Sequence, residues 1–172
     1  MAPTASSIEL LRLSGTPAEL AALQRVLDGA PTYHHRLQGS AAGPDEARNT
    51  LAELPPGKTL ADKFVYGVYV GGEMVGCADV IRGWPNATTA IVGLLLFAER
   101  HHRLGYGARA YAALEQIARE WGMTRMRLAV LASNAEALPF WEGRGFTPTG
   151  ERRSHRAGTV ESELWVLEKP LG

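Results

Sequence analysis

Cysteine is almost missing from this chain of 172 residues: Cys77 is the single thiol, so no internal disulfide can staple the fold, and a reducing, cytoplasmic setting is expected. Net charge is missing too. Eighteen Lys and Arg balance 18 Asp and Glu, which leaves no whole-chain field to draw nucleic acid or an anionic membrane, so neither is expected as a partner. The longest apolar run, Ala90 to Ala98, falls well short of the roughly 18 residues that a membrane-spanning helix needs. Met1 to Ser7 has neither the basic nor the apolar segment of a secretory leader. Internal repeats and low-complexity tracts are also lacking. Five histidines are present, but none shares a zinc-type spacing, and neighbours such as His101 and His102 cannot reach one ion from a regular element; no metal is expected. What remains is 45% apolar and 21% charged, the composition of one globular domain over residues 1–172.

Ile8 to Leu13 alternates loosely like a strand, and Thr16-Pro17 sets an N-cap followed by proline at the first helical position, with Leu20, Leu23, Val26 and Leu27 as the apolar stripe. Pro31 to Lys58 shows no strong period and is expected to be loops with a short helix. Phe64 to Val70 and Glu73 to Arg82 read as a hairpin closed by Gly71-Gly72, and Thr88 to Phe97 as a continuous buried strand. Tyr106 to Trp121 has helical spacing with Gly122 placed as its C-cap. Arg125 to Leu131 alternates as a strand. Ser133-Asn-Ala-Glu136 has the form of a capping box before a short helix in which Pro139 should cost a backbone hydrogen bond. Phe146 to Arg152 and Val160 to Glu168 finish the chain as strands around a basic loop. This order predicts an α/β (α+β) domain with a mixed central sheet of about seven strands and about four helices.

The segment richest in chemistry runs from the buried strand through Glu99-Arg-His-His-Arg-Leu-Gly105-Tyr-Gly107 into a helix. Helix N-terminal amides left free beside glycines and basic side chains make an anion site, so a phosphate-bearing ligand is its natural occupant. Two other phosphate motifs fit less well. Gly105-x-Gly107-x-x-Ala110 mimics a dinucleotide fingerprint, but a long loop separates it from Phe97, and the next strand ends at Val130-Leu-Ala-Ser-Asn134 without the ribose-binding acid. Gly57-Lys-Thr59 imitates a Walker A end, but Ala52 stands where its first glycine belongs.

His102-Arg-Leu-Gly105-Tyr-Gly107 resembles the pyrophosphate loop of the GNAT superfamily of acetyl-CoA-dependent N-acetyltransferases, with His102 in place of the usual Arg or Gln. Asn134-Ala-Glu-Ala137, the aromatic pair Phe140-Trp141 and Gly145-Phe146 resemble that family's second motif in order and spacing. The resemblance implies a sheet that splays into a V. Leu95, Leu96 and Phe97 would pair through their backbones with the pantetheine arm, and the amide of Leu96 would face the thioester carbonyl as oxyanion donor. Arg103, Leu104, Gly105, Tyr106, Gly107 and Ala108, with His102, would wrap the pyrophosphate, and Asn134, Phe140 and Trp141 would line the cofactor cleft. Acetyl-CoA is the implied cosubstrate, attacked directly by a primary amine in a ternary complex. The amine would belong to a small molecule or a peptide.

Trp141 stands where the family often has a tyrosine acid, and an indole N–H is no acid at neutral pH. Asp79, an acid on an otherwise apolar strand face, is the candidate base, set against a structural carboxylate paired to an arginine such as Arg82. Tyr33, His34 and His35 are expected over the acceptor half of the V, with His155 as a further wall. An alternative function, a non-catalytic acyl-CoA-binding sensor or partner module, follows from the missing acid. Family habit implies a homodimer.

Overall fold

In the computed structural model, which describes residues 6–172, most of the stretch read above for a leader lies outside the described residues. The sheet is built outward from its hairpin. β2 (Lys63–Val70) and β3 (Glu73–Arg82) turn through Gly71 and Gly72, whose positive φ values of 57° and 82° are those a two-residue turn between twisted strands requires. β1 (Glu9–Arg12) joins β2 on the outer side, and β4 (Thr89–Phe97) joins β3 on the inner side. β5 (Arg125–Leu131), β7 (Val160–Pro170) and β6 (Thr147–Ala157) complete a seven-stranded sheet of order β1-β2-β3-β4-β5-β7-β6. Among the described residues only β4 and β5 run parallel.

α1 (Pro17–Asp28) opens with a full capping box: the Glu19 amide donates to the Thr16 hydroxyl, and the Glu19 carboxylate returns to the Thr16 amide. α2 (Pro31–Gln38) and α3 (Glu46–Ala52) occupy the stretch expected to be mostly loop. These three helices cover one face of the sheet, where Leu23, Val26 and Leu27 pack on Val65, Cys77 and Leu96. α4 (Tyr106–Glu120) covers the other, placing Tyr111, Leu114 and Ala118 on Val80, Val92, Met126 and Leu128. It ends as the sequence implies: Gly122, at φ 77°, donates to Arg119 O and Met123 donates to Ala118 O, which together satisfy the last carbonyls. Burying the Tyr111, Leu114 and Leu128 side chains contributes about 1.5–3 kcal/mol each.

Three expectations are corrected. Ser133 to Glu136 makes no capping box, because Ala132–Ala137 is a 3-10 turn and the Glu136 carboxylate pairs with Arg36. Pro139 sits in the first turn of α5 (Leu138–Glu142), where no intrahelical donor is needed, so it costs nothing. The basic stretch Arg152 to Arg156 is strand rather than loop, since β6 and β7 pair as far as Ala157 and Val160.

Candidate active site

The parallel ladder between β4 and β5 lasts only from Thr89 opposite Arg125 to Val92 opposite Leu128. Beyond it β5 stays with β7 through Leu131, while β4 continues with β3, so the two strands part and a V opens. The cause is local. Register between β3 and β4 slips after Asp79, which lies opposite Leu94, while Val80 lies opposite Val92; Gly93 is the extra residue of a bulge. A Cβ at Gly93 would stand 3.3 Å from Asp79 Oδ2, so glycine keeps the space beside that carboxylate open.

The same register decides which backbone groups face the V. Ala98 donates to Val75 O at 3.2 Å, and the two-residue alternation of an antiparallel pair sends the N–H and C=O of Leu96 and Leu94 toward β3 as well. Those of Leu95 and Phe97 therefore point away from β3 into the V. The expectation for Leu96 changes accordingly: its amide is turned to Cys77, and the outward amides are its two neighbours. Phe97 O is already engaged by His102 Nε2 at 2.9 Å.

At the end of the V the chain forms its loop. Arg103 takes φ 62° and Gly105 φ 77°, and α4 begins at Tyr106. Among the described residues, the amides of Arg103 to Ala108 meet no protein acceptor; the first amide of the helix to do so is that of Arg109, on Gly105 O. A set of free amides at the positive end of a four-turn helix binds an anion. Arg103 is exposed, and Arg109 is braced by its bonds to Ser6 O and Leu104 O and by stacking over Tyr106. Leu104 is exposed at 52%. The role of His102 shifts, because its Nε2 ties the loop to β4 rather than reaching outward. Gly107 faces inward as well: a Cβ there would touch the Phe140 ring at 3.4 Å, so α4 and α5 meet at this glycine.

Trp141 is buried among Tyr111, Phe140 and Phe146 in edge-to-face contacts. Asn134 Oδ1 accepts from Arg36 at 2.7 Å, a bond that joins α2 to the far wall of the V. His155 Nε2 meets Leu37 O at 2.7 Å and fixes the same C-terminal end of α2 to β6. His34 is 1% exposed and turned into the helical layer near Asp28 and Glu46, where burial holds its imidazole below the usual range and neither ring nitrogen has a partner among the described residues. Its neighbour Tyr33 is the side chain that reaches the sheet, packing against the cluster that holds Cys77 and Leu96; burial pushes its phenol up to about 12.

Asp79 occupies the centre of this face. Its Oδ2 accepts from Lys63 Nζ at 2.9 Å, not from Arg82, which pairs with Asp62 instead. Lys63 is almost fully enclosed, and Asp79 Oδ1 is buried with no partner among the described residues. Burial raises the Asp79 carboxyl above the usual carboxylate range against the opposing pull of Lys63. Cys77, next to it on the same face, has its thiol pushed up to about 12 by burial and by the Asp79 charge, so it is inert as a nucleophile. Sequence reading missed Lys63, whose ladder position opposite Ile81 puts it one step from Asp79, and Gly93, whose signal was a lone glycine inside an apolar strand.

A half-open mixed sheet whose V ends on a loop of free amides is suited to an extended ligand with an anionic end. The match of residues 31–146 to the model of the Acetyltransferase (GNAT) family makes the chain a member of that family. An acetyltransferase from Thermus thermophilus is 27% identical, with a TM-score of 0.72 over 97% of this chain and 99% of that one. The ribosomal-protein-S18-alanine N-acetyltransferase from Escherichia coli shares the fold at 15% identity, TM-score 0.70, over 96% and 95%. A GNAT family acetyltransferase from Elizabethkingia anophelis, solved with acetyl-CoA bound, shares it at 15% identity, TM-score 0.64, over 95% and 98%. No curated protein matches the chain. No helix among the described residues is long and apolar enough to cross a membrane.

Proposed function

We propose that the protein is an acetyl-CoA-dependent N-acetyltransferase that acts on a primary amine, with Asp79 as the general base. Free amides from Arg103 to Ala108, flanked by Arg103 and Arg109, suit a pyrophosphate; the outward N–H and C=O of Leu95 and the outward N–H of Phe97 suit the amides of a pantetheine arm. The residues present therefore fit acetyl-CoA, which when bound supplies an acyl carbon activated by its thioester. The Leu95 amide, nearest the bulge of the two that face the V, is the donor placed to stabilise negative charge on the acyl oxygen. Asp79, beside the open backbone of Gly93, accepts the proton of the incoming ammonium, and its raised pKa matches it to that task. Trp141 supplies packing and no proton, so the departing thiolate is protonated by solvent or by the amine itself.

The single observation behind this reading is the coincidence of the bulge, the V and the free-amide loop on one strand. A second reading, a binding module without turnover, draws on the Lys63–Asp79 ion pair, which would equally satisfy a structural carboxylate. Binding of acetyl-CoA measured by calorimetry, followed by free-thiol release with a mixed library of amines, separates them. Acceleration by one amine class supports the enzyme, binding without acceleration supports the module, and no binding removes both. A homodimer through the exposed edge of β6 accompanies the proposal.

A further inference from the structure

A cavity of ≈ 620 Å³ opens on the same sheet face, between β1, β2, α3 and the turn before α1. Its walls hold three cations, Arg12, Arg48 and Lys63, and no acid, together with the apolar side chains of Leu13, Leu51, Leu60 and Val65. Nine arginines elsewhere are ion-paired with Asp or Glu. Arg12 and Arg48 are not among them. Arg12 lies over the Phe64 ring at 4.0 Å and donates only to Lys63 O, and Arg48 is exposed with no hydrogen-bond partner among the described residues. Glu19, the acid that follows the turn before α1, is taken up by the amides of Ser14, Gly15 and Thr16. The cavity is therefore an apolar space with two uncompensated guanidiniums at its rim.

It also adjoins Asp79. Val65 lines it and lies opposite Asp79 in the ladder, while Lys63 lines it and holds Asp79 Oδ2. One row runs across the sheet on this face: the Leu13 amide donates to Val65 O, Val65 lies opposite Asp79, and Asp79 opposite Leu94 beside the bulge; Arg12 is the residue before Leu13 and its guanidinium donates to Lys63 O. From β4 to β1 this is three strand spacings, about 14 Å.

We propose that this cavity is a second subsite for the acceptor and receives its anionic end. An amine held at Asp79 then carries an apolar body across β2 and a carboxylate to Arg12 and Arg48, so the substrate class is amino carboxylates rather than polyamines. The inference rests on the acetyl-transfer reading above. Bidentate guanidinium–carboxylate bonds give this end its selectivity, while a terminal ammonium would meet two like charges.

The test compares a homologous series of α,ω-amino acids with the matching ω-amino amides, which differ only in the charge at the far end. With the native protein, thiol release from acetyl-CoA should favour the acids in kcat/KM by about tenfold or more at the best chain length. Arg48→Gln, an exposed change, should erase most of that preference, and Arg12→Gln with Arg48→Gln all of it, with acetyl-CoA affinity kept as the control for folding. Equal use of acids and amides by the native protein, or a preference that survives in the double variant, overturns the subsite. Should no amine release thiol, saturation-transfer NMR of the same acids decides separately: binding lost in the double variant keeps the subsite while the transfer reading fails, and binding that is absent, or indifferent to Arg12 and Arg48, overturns it.

Discussion

Lys63 and Asp79 form the pair on which the proposed chemistry turns, because both are enclosed and the Lys63 ammonium bears directly on the Asp79 carboxyl. Burial raises the Asp79 carboxyl, and the ammonium 2.9 Å away opposes the rise. A base works only when deprotonated, so the rate should climb with pH through this raised pKa. In Lys63→Met the opposing charge is gone, the carboxyl rises further, and the acid limb of the kcat/KM profile should move up by about one to three pH units. Removing one partner of an enclosed pair also costs about 3–5 kcal/mol, so melting is followed alongside. A profile that stays in place while stability falls would give the pair a structural role only. Asp79→Asn should lower kcat/KM by about a hundredfold or more with acetyl-CoA affinity intact, measured by thiol release and calorimetry. Asp79 stood out in the sequence as an acid on an apolar face. Lys63 did not, since its partner lies 16 residues away and only the hairpin register joins them.

α4 shows how an element can present an anion-binding end without any special side chain. Gly105 supplies a left-handed cap, the first amides stay free, and the helix is anchored by Tyr111 and Leu114 in the core. Gly107 is one of the residues expected to wrap the pyrophosphate; its missing Cβ faces Phe140, which seats α5 against the loop. Gly107→Ala adds a Cβ at ordinary contact distance and should bind acetyl-CoA nearly as the native protein does. Gly107→Leu must displace Phe140, and with it the start of α4, and should weaken acetyl-CoA binding by about tenfold or more in calorimetry, a loss within the usual range for overpacking a tight site. Equal affinity in both variants would detach the loop from α5. The boundaries of α4, β5 and the hairpin were legible because periodicity, Gly122 and Gly71-Gly72 all agree there. α2 and α3 were not, since their stability comes from packing on the sheet and from Arg36 and His155 tying α2 across the V, which no local pattern announces.

At the scale of the whole molecule, the sheet is two ladders joined by four residue pairs between β4 and β5. Its architecture could be read from element order, but the V could not be derived from composition or period, because Gly93 interrupts a run whose apolar side chains read as an unbroken strand. A pantetheine arm in the V would act as the strand missing between β4 and β5, so binding should stabilise the entire fold and not the loop alone. At a hundredfold excess over Kd the gain is about 2.7 kcal/mol, which for a chain of this size raises Tm by about 5–10 °C. Hydrogen exchange resolves where that gain arises. The Leu96 amide is already turned to β3 and should slow only with global stability, whereas the Leu95 and Phe97 amides face the V and should gain protection well beyond it when acetyl-CoA is added. Protection that rises equally at all three positions would mean that the arm does not pair with β4, and the loop at the head of α4 would then be the sole anchor of the ligand.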